Sequence, residues 1–432
     1  MLASLFCYLW LQQQPIENAR GEPAPAPAPT APAESPAPLP APAAAPAEAP
    51  PPAPAPPPLA TAETPTGESV RAPGASAMNP AMSLILDGAF GYYGLHAGRF
   101  AALGLPISGD DPSDTREGFT VQEIEIAAQA AIDPYFEGAI FLTIPNLDGI
   151  EVEEGYLVTT SLPANLQIKA GTFRSHLGRD NGQHLHVQNF TRRPLMLPLL
   201  FGTDGLRGPG AQVSVLMPLP WFATIYAEAF SIGAPPPDDQ TRVATFGGGV
   251  RLTPKNLTYT AVLEQFWELG EATSLLLGAN FATGHLFDCM AAVPCDATIA
   301  AGPRSYLYGG DLYVKWKPPN QALTYHSVQW TTEWFTRTIA NGGPSEGAGY
   351  TEPDVQIARR WFVGGRFDLV GLPSGPSVPR RYGYSASLTF TPSEFSRIRL
   401  YAQELTGPGV TATTVAFLQV EYAMGAHGAH PF

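Results

Sequence analysis

Ser396–Gln403 reads SRIRLYAQ, with Ile398, Leu400 and Ala402 on one face and Arg397, Arg399 and Gln403 on the other. Side chains two residues apart share a face of an extended chain, so the stretch predicts a β-strand with one apolar and one polar side. The same reading holds for Ile124–Ile132, where Ile124, Ile126, Ala128, Ala130 and Ile132 oppose Glu125 and Gln129, with Glu123 just before them on the polar side. In Tyr306–Trp316, Tyr306, Tyr308, Leu312, Val314 and Trp316 oppose Asp311 and Lys315. In Ala416–Met424, Leu418, Val420, Tyr422 and Met424 oppose Gln419 and Glu421.

A soluble sandwich would alternate in the same way with its apolar faces turned inward. Other features point those faces outward, to lipid. Aromatic residues gather near expected strand ends (Tyr92, Tyr93, Tyr135, Phe136, Trp221, Phe222, Trp267, Trp316, Trp334 and Trp361), as interfacial girdles require. Short and long connections alternate, and the sequence ends on Phe432 just after an amphipathic strand. Composition agrees: only 14% of the 432 residues are charged and mean hydropathy is -0.02, yet no apolar run reaches the ~20 residues of a spanning helix. Strands with one lipid face and one wet face average to these values.

The short turns are expected at Asp133-Pro134, Leu162–Asn165, Pro218–Pro220, Gly270–Ala272, Lys317–Asn320 and Thr391–Glu394. The long connections are expected at Gly94–Glu117, His176–Pro209, Ile232–Asn256, His285–Pro303, Ala340–Gly347 and Gly371–Arg380. Residues 81–432 then form an all-β, antiparallel transmembrane β-barrel of about 16 strands, with both termini periplasmic and a water-filled lumen rather than a packed core. Residues 1–21 read as a leader or partial signal peptide, whose positive n-region is missing, and Phe6 before Cys7 disfavours a lipoprotein site. Residues 22–80 are a Pro/Ala-rich segment that can form neither helix nor ladder. A disordered periplasmic spacer of polyproline II character is expected, with attachment to a periplasmic partner or the cell wall as the sharper alternative.

Gly171–Gly210 (GTFRSHLGRDNGQHLHVQNFTRRPLMLPLLFGTDGLRGPG), Thr391–Gln403 (TPSEFSRIRLYAQ) and Phe417–Phe432 (FLQVEYAMGAHGAHPF) resemble a porin-like outer-membrane β-barrel group, distantly similar to phosphate-selective porins. Some members of that group are labelled zinc-regulated TonB-dependent outer membrane receptors. The resemblance implies an outer-membrane channel of a Gram-negative bacterium, but not which solute it takes. A TonB-dependent receptor would resemble a 22-stranded barrel with a globular plug, which the Pro/Ala-rich segment cannot form. General porins resemble one another in folding the loop after their fifth strand into the lumen. On that basis the loop 176–209 is the candidate pore constriction, with Arg174 at its base and His176, Arg179, Asp180, Arg192, Arg193, Asp204 and Arg207 along it. Guanidinium groups facing carboxylates across a narrowing would set an ion preference; local pairing that merely braces the loop is the plainer reading.

The expected lumen face carries Glu123, Glu125, Lys169, Asp311, Lys315, Gln329, Glu333, Arg366, Asp368, Arg397, Arg399, Gln419 and Glu421. Both signs occur there, so ion selectivity stays open despite the net charge of -14. That charge, with no basic stripe, excludes a nucleic-acid partner. His184 and His186 form an HxH pair and His427 and His430 an HxxH pair. An extended His184/His186 could hold zinc with His176 or Asp180, against the plainer reading of polar loop residues. No other cofactor is expected. Cys289 and Cys295 could close a small disulfide loop.

No Walker loop, HExxH, Rossmann glycines or Ser-His-Asp order in a strand-turn-helix setting occurs, so an enzyme is not expected. The leading function is passive diffusion of small polar or ionic solutes. A metal-uptake or metal-sensing receptor and a structural envelope barrel with a periplasmic tether are the alternatives. The expected partners are outer-membrane lipid, the solutes, and the barrel-assembly machinery through the C-terminal strand and Phe432. A homotrimer is compatible with the fold, although no flat lipid-facing patch argues for one.

Overall fold

The computed structural model describes residues 80–95, 117–147, 149–202, 205–232, 245–246, 256–287, 302–320, 325–340, 342–375 and 378–425. The leader, the Pro/Ala-rich segment, Asp204, Cys289, Cys295, His427, His430 and Phe432 lie outside them. The wall is built from β1 (Ala81–Tyr93), β2 (Gly118–Asp133), β3 (Phe136–Thr143), β4 (Glu151–Thr159), β5 (Leu166–Arg174), β6 (Arg207–Leu216) and β7 (Phe222–Phe230). It continues through β9 (Thr258–Glu268), β10 (Thr273–Phe287), β11 (Arg304–Trp316), β12 (Ser327–Ile339) and β13 (Ser345–Ala358). The last four are β14 (Trp361–Val370), β15 (Arg381–Ser393), β16 (Ser396–Gly407) and β17 (Val410–Gly425). A two-residue strand, β8 (Thr245–Phe246), only extends the far end of β10.

Each wall strand pairs antiparallel with its neighbours in sequence, and β1 pairs with both β2 (Leu84 opposite Ile126) and β17 (Leu86 opposite Tyr422). The ring of sixteen strands therefore closes with no free edge. Among the described residues no helix is long and apolar enough to cross a membrane.

The alternation resolves as the sequence predicts. Ile398, Leu400, Leu418, Val420, Tyr422 and Met424 face outward, while Glu123, Glu125, Asp311, Arg399, Gln419 and Glu421 are buried. Apolar side chains outside and charged ones inside are the reverse of a soluble protein, and they suit a wall immersed in hydrocarbon. Two aromatic belts bound the outer face. Tyr135, Trp221, Phe222, Trp316, Trp361 and Phe395 ring the short-turn rim, where Trp221 stacks on Trp267 with ring centroids 6.5 Å apart. Toward the other rim, Phe90 meets Phe119 at 5.0 Å, Phe281 meets Tyr308 at 5.3 Å and Phe367 meets Tyr384 at 5.3 Å. Tyr308 and Trp316 lie eight residues apart on β11, about 27 Å along a strand and about 20 Å once tilted, close to the ~25 Å apolar band of such barrels. Two expected girdle residues sit elsewhere: Trp334 is mid-strand in β12, and Tyr93 turns inward.

The strands outrun several expected loops, because on the long-loop side the wall continues past the apolar band. His285 belongs to β10 and Gly347 to β13, and the fifth connection shortens to 175–206. Connections at 144–150, Arg359-Arg360 and Pro408-Gly409 complete the ring. The last is a tight turn on the long-loop rim, so the alternation of loop lengths is not strict.

The interior departs from expectation. Sixteen strands leave room for water, yet much of the long-loop half is occupied by an apolar core. Leu177, Phe190, Leu195, Leu197, Leu199, Leu200 and Phe201 of the 175–206 segment pack against Tyr93, Leu286, Leu307, Phe335, Val370, Leu405 and Val415 of the wall. Ala127, Phe141, Tyr156, Phe173 and Phe230 form a smaller cluster on the β2–β7 side. One loop thus supplies the core that the wall alone could not.

Candidate functional site

The segment 175–206 leaves β5 and returns to β6 through a fastened neck. The Ser175 amide donates to Leu206 O at 2.9 Å. Asn181, fully buried, donates from Nδ2 to Ser175 O (2.8 Å) and Leu206 O (3.1 Å), and its Oδ1 accepts from the Leu206 amide (2.6 Å). Among its described residues the regular structure is a 3-10 turn, Leu185–Val187, and one short helix, α1 (Met196–Leu200). Gly178 has φ 73°, and a Cβ there would meet Glu333 and Phe335, so only glycine lets the backbone lie this close to the wall.

The first limb is polar. His176 stacks on Tyr226 with centroids 3.8 Å apart and places Nε2 3.1 Å from Glu264. The Gly178 amide donates to Asn280 Oδ1 (2.9 Å), the Asp180 amide donates to Glu333 Oε1 (2.7 Å), and the Arg179 guanidinium lies 3.7 Å over the Tyr313 ring. Burial raises the Asp180 carboxyl above its ordinary value, against the pull of Arg193 and Arg366.

The middle of the segment reaches the opposite wall. Asn189 donates to Glu352 (3.3 Å), Thr191 to Gln419 (2.9 Å) and Arg192 to Gln403 (3.1 Å), while Arg399 and Arg397 donate to Gln188 O (2.8 and 3.2 Å). The apolar limb is then pinned by β14. Asp368 accepts from the Leu195 amide (2.9 Å), and Arg366, paired with Asp368 at 3.1 Å, donates to Arg192 O at 2.8 Å. The segment therefore crosses the interior, with polar wall contacts from β7 round to β17.

Opposite the β2–β4 wall, His184 Nδ1 lies 3.0 Å from Glu125 and 3.1 Å from Glu153, and Nε2 lies 2.7 Å from Glu154 Oε1. His186 Nδ1 is 3.2 Å from the same Glu125 oxygen. Burial alone would lower the His184 pKa, but Glu153 and Glu125 outweigh it and hold the imidazole well above its ordinary range. Glu153 and Glu154 face inward together because the β3–β4 register slips: Phe141 opposes Glu154 and Leu142 opposes Val152, leaving Glu153 as the extra residue of a β-bulge.

These positions correct one expectation. His176 stands against Glu264 and Asp180 against Glu333; the ligand-grade partner of His184 and His186 is Glu125. Among the other expected loop residues, Arg174 pairs with Glu153, Arg207 lies 3.6 Å from Glu151, and Arg193 donates to Gln183 O at 3.1 Å. Lys169 lies 4.5 Å over the Tyr156 ring, Lys315 is partly buried, and Arg397 pairs with Glu421.

Sequence reading missed several inward carboxylates: Asp87, Glu153, Glu154, Glu228, Glu264, Glu352 and Asp354. It also missed the fully buried Arg337–Glu346 pair. Two polar cavities of about 90 and 100 Å³ flank the loop, room for several waters each. One lies among Arg179, Gln188, Glu352, Asp354, Arg397 and Arg399, the other among Lys169, Arg174, His176, Glu264 and Asp311.

No family model matches the chain. A loop L8 deletion mutant of OmpT, an outer membrane protein of Vibrio cholerae, superposes with TM-score 0.51 over 80% of this chain and 99% of that one, at 10% identity. The anion-selective porin from Comamonas acidovorans does so with TM-score 0.51 over 80% and 99%, at 9% identity. At such identities the likeness is one of fold. An uncharacterised protein of Aquifex aeolicus (strain VF5) is 30% identical over 394 residues, which span 82% of this chain and 80% of that protein. The chain belongs to the same family as the Aquifex aeolicus protein, and it has the sixteen-stranded barrel fold of the porins.

Proposed function

We propose that the chain is a porin-like channel of the outer membrane that passes small polar or ionic solutes. Its short-turn rim and both ends of the barrel would face the periplasm, and the loop 175–206 would set the passage. The observation that carries this reading is the inverted wall, apolar outside and charged inside, with one loop held across its interior by hydrogen bonds to opposite strands. Arg174, His176, Arg179, Asp180, Arg192 and Arg193 serve as constriction residues on this reading, with carboxylates of the wall opposite them. The apolar limb makes the resting passage narrow.

Reconstitution of the folded barrel in planar bilayers tests it. Small, ohmic conductance steps are expected, and replacing residues 177–204 by a short Gly-Ser linker should enlarge them several-fold. Bilayers that stay sealed with the linker variant would reject the channel.

A further inference from the structure

The carboxylates around His184 belong to one buried cluster. Ligand atoms of Glu125, His184 and His186 all lie within 4.8 Å of one another, as do those of Glu123, Glu125 and Glu153. His184 also contacts Glu154 through its other ring nitrogen. Phe141, 4.7 Å from the His184 ring, helps to cover the group.

Charge supplies a second observation. Glu123, Glu125, Glu153 and Glu154 are each buried, with Arg174 paired to Glu153 and Lys169 over the Tyr156 ring beside them. Four carboxylates gathered in one buried place repel one another, and buried charge is costly unless offset. A dication would offset that repulsion while leaving both imidazoles neutral, the state in which they ligate.

Geometry supplies the third. Two ligands on a tetrahedral ion at 2.0–2.1 Å stand about 3.3 Å apart; His184 Nδ1 and His186 Nδ1 lie 3.0 and 3.2 Å from the same Glu125 oxygen, and Glu153 Oε2 lies 3.1 Å from His184 Nδ1. With Nδ1 turned to the ion, His184 Nε2–H donates to Glu154, the outer-shell carboxylate that fixes tautomer and ring orientation at metal-binding histidines.

We propose that Glu125, His184 and His186, with Glu153 as fourth donor, form a site for a divalent transition-metal ion of the zinc class, tying the loop 175–206 to β2 and β4. Imidazole and carboxylate donors in a compact four-point set favour Zn²⁺ over Ca²⁺ or Mg²⁺, which take six or more oxygen ligands. The site does not require that the barrel conduct.

The test uses the full chain, folded in detergent and stripped with a chelator, with Zn²⁺ titrated against a competing dye and Co²⁺ used as a spectroscopic probe. One Zn²⁺ per chain and the intense visible absorption of four-coordinate cobalt are expected. Glu125→Gln, nearly isosteric, and His186→Ala should each weaken Zn²⁺ by at least about tenfold to a hundredfold, while His326→Ala, at an exposed position outside the cluster, binds as before. Heat-modifiable migration on gels confirms that each variant is folded. Zn²⁺ affinity equal in the His184→Ala/His186→Ala double variant, or none in the parent chain, would overturn the assignment.

Discussion

Asp180 shows how a single residue is read from its surroundings. Its carboxyl is buried with Oδ2 unpartnered among the described residues, while its own amide is spent on Glu333. Burial raises the carboxyl above its ordinary value of 3.8, and Arg193, Arg366 and Arg174 only partly offset that. A folded pKa above the unfolded one means that the folded state binds the proton more tightly. The associated stability is complete below pH 3.8 and is lost as pH rises through the raised value. Asp180→Asn mimics the protonated form, so it should be more stable than the parent at pH 7. The difference should shrink toward pH 4 in urea unfolding; a constant gap across that range would contradict the burial argument. At this scale the sequence was legible in part. Arg174, Glu125 and His184 were visible as charged or ligating residues, but their pairing was not. On β4, Glu153 lies 21 residues from Arg174 and Glu154 lies 30 from His184, on β9 Glu264 lies 88 from His176, and only the folded sheet sets them beside the loop.

At the scale of elements, alternation revealed the strands wherever a strand faces lipid on one side and the interior on the other. It failed at β4, where one bulge residue sends two consecutive glutamates inward and breaks the period of two. It also failed at Leu195–Phe201. The run LMLPLLF carries no alternation and lies inside a loop, which was the available sign that the loop holds a core of its own. A loop expected to stand in water would not carry that run. Leu200→Ala should therefore cost about 2–5 kcal/mol of loop docking. Noisier, more frequent openings in single-channel records would report it, with heat-modifiability of the wall retained. Records indistinguishable from the parent's would show that the apolar limb does not restrain the passage.

At the scale of the whole molecule, composition and parity of turns were enough to foresee an even-stranded ring, because a lipid-immersed sheet tolerates no edge. The filling of that ring was not foreseeable from strand number. Residues 22–80 stand apart from the wall in composition, and the sheet closes without them. Deleting them should leave the unfolding midpoint and unit conductance of the purified barrel unchanged, while any tethering role would show as a weakened envelope in cells. The pairing of β1 with β17 makes closure depend on the last strand. Until Val410–Gly425 is in place, β1 keeps one flank of amides and carbonyls unanswered. A chain cut short of it would be an open ribbon with two raw flanks, β1 on one side and β16 on the other.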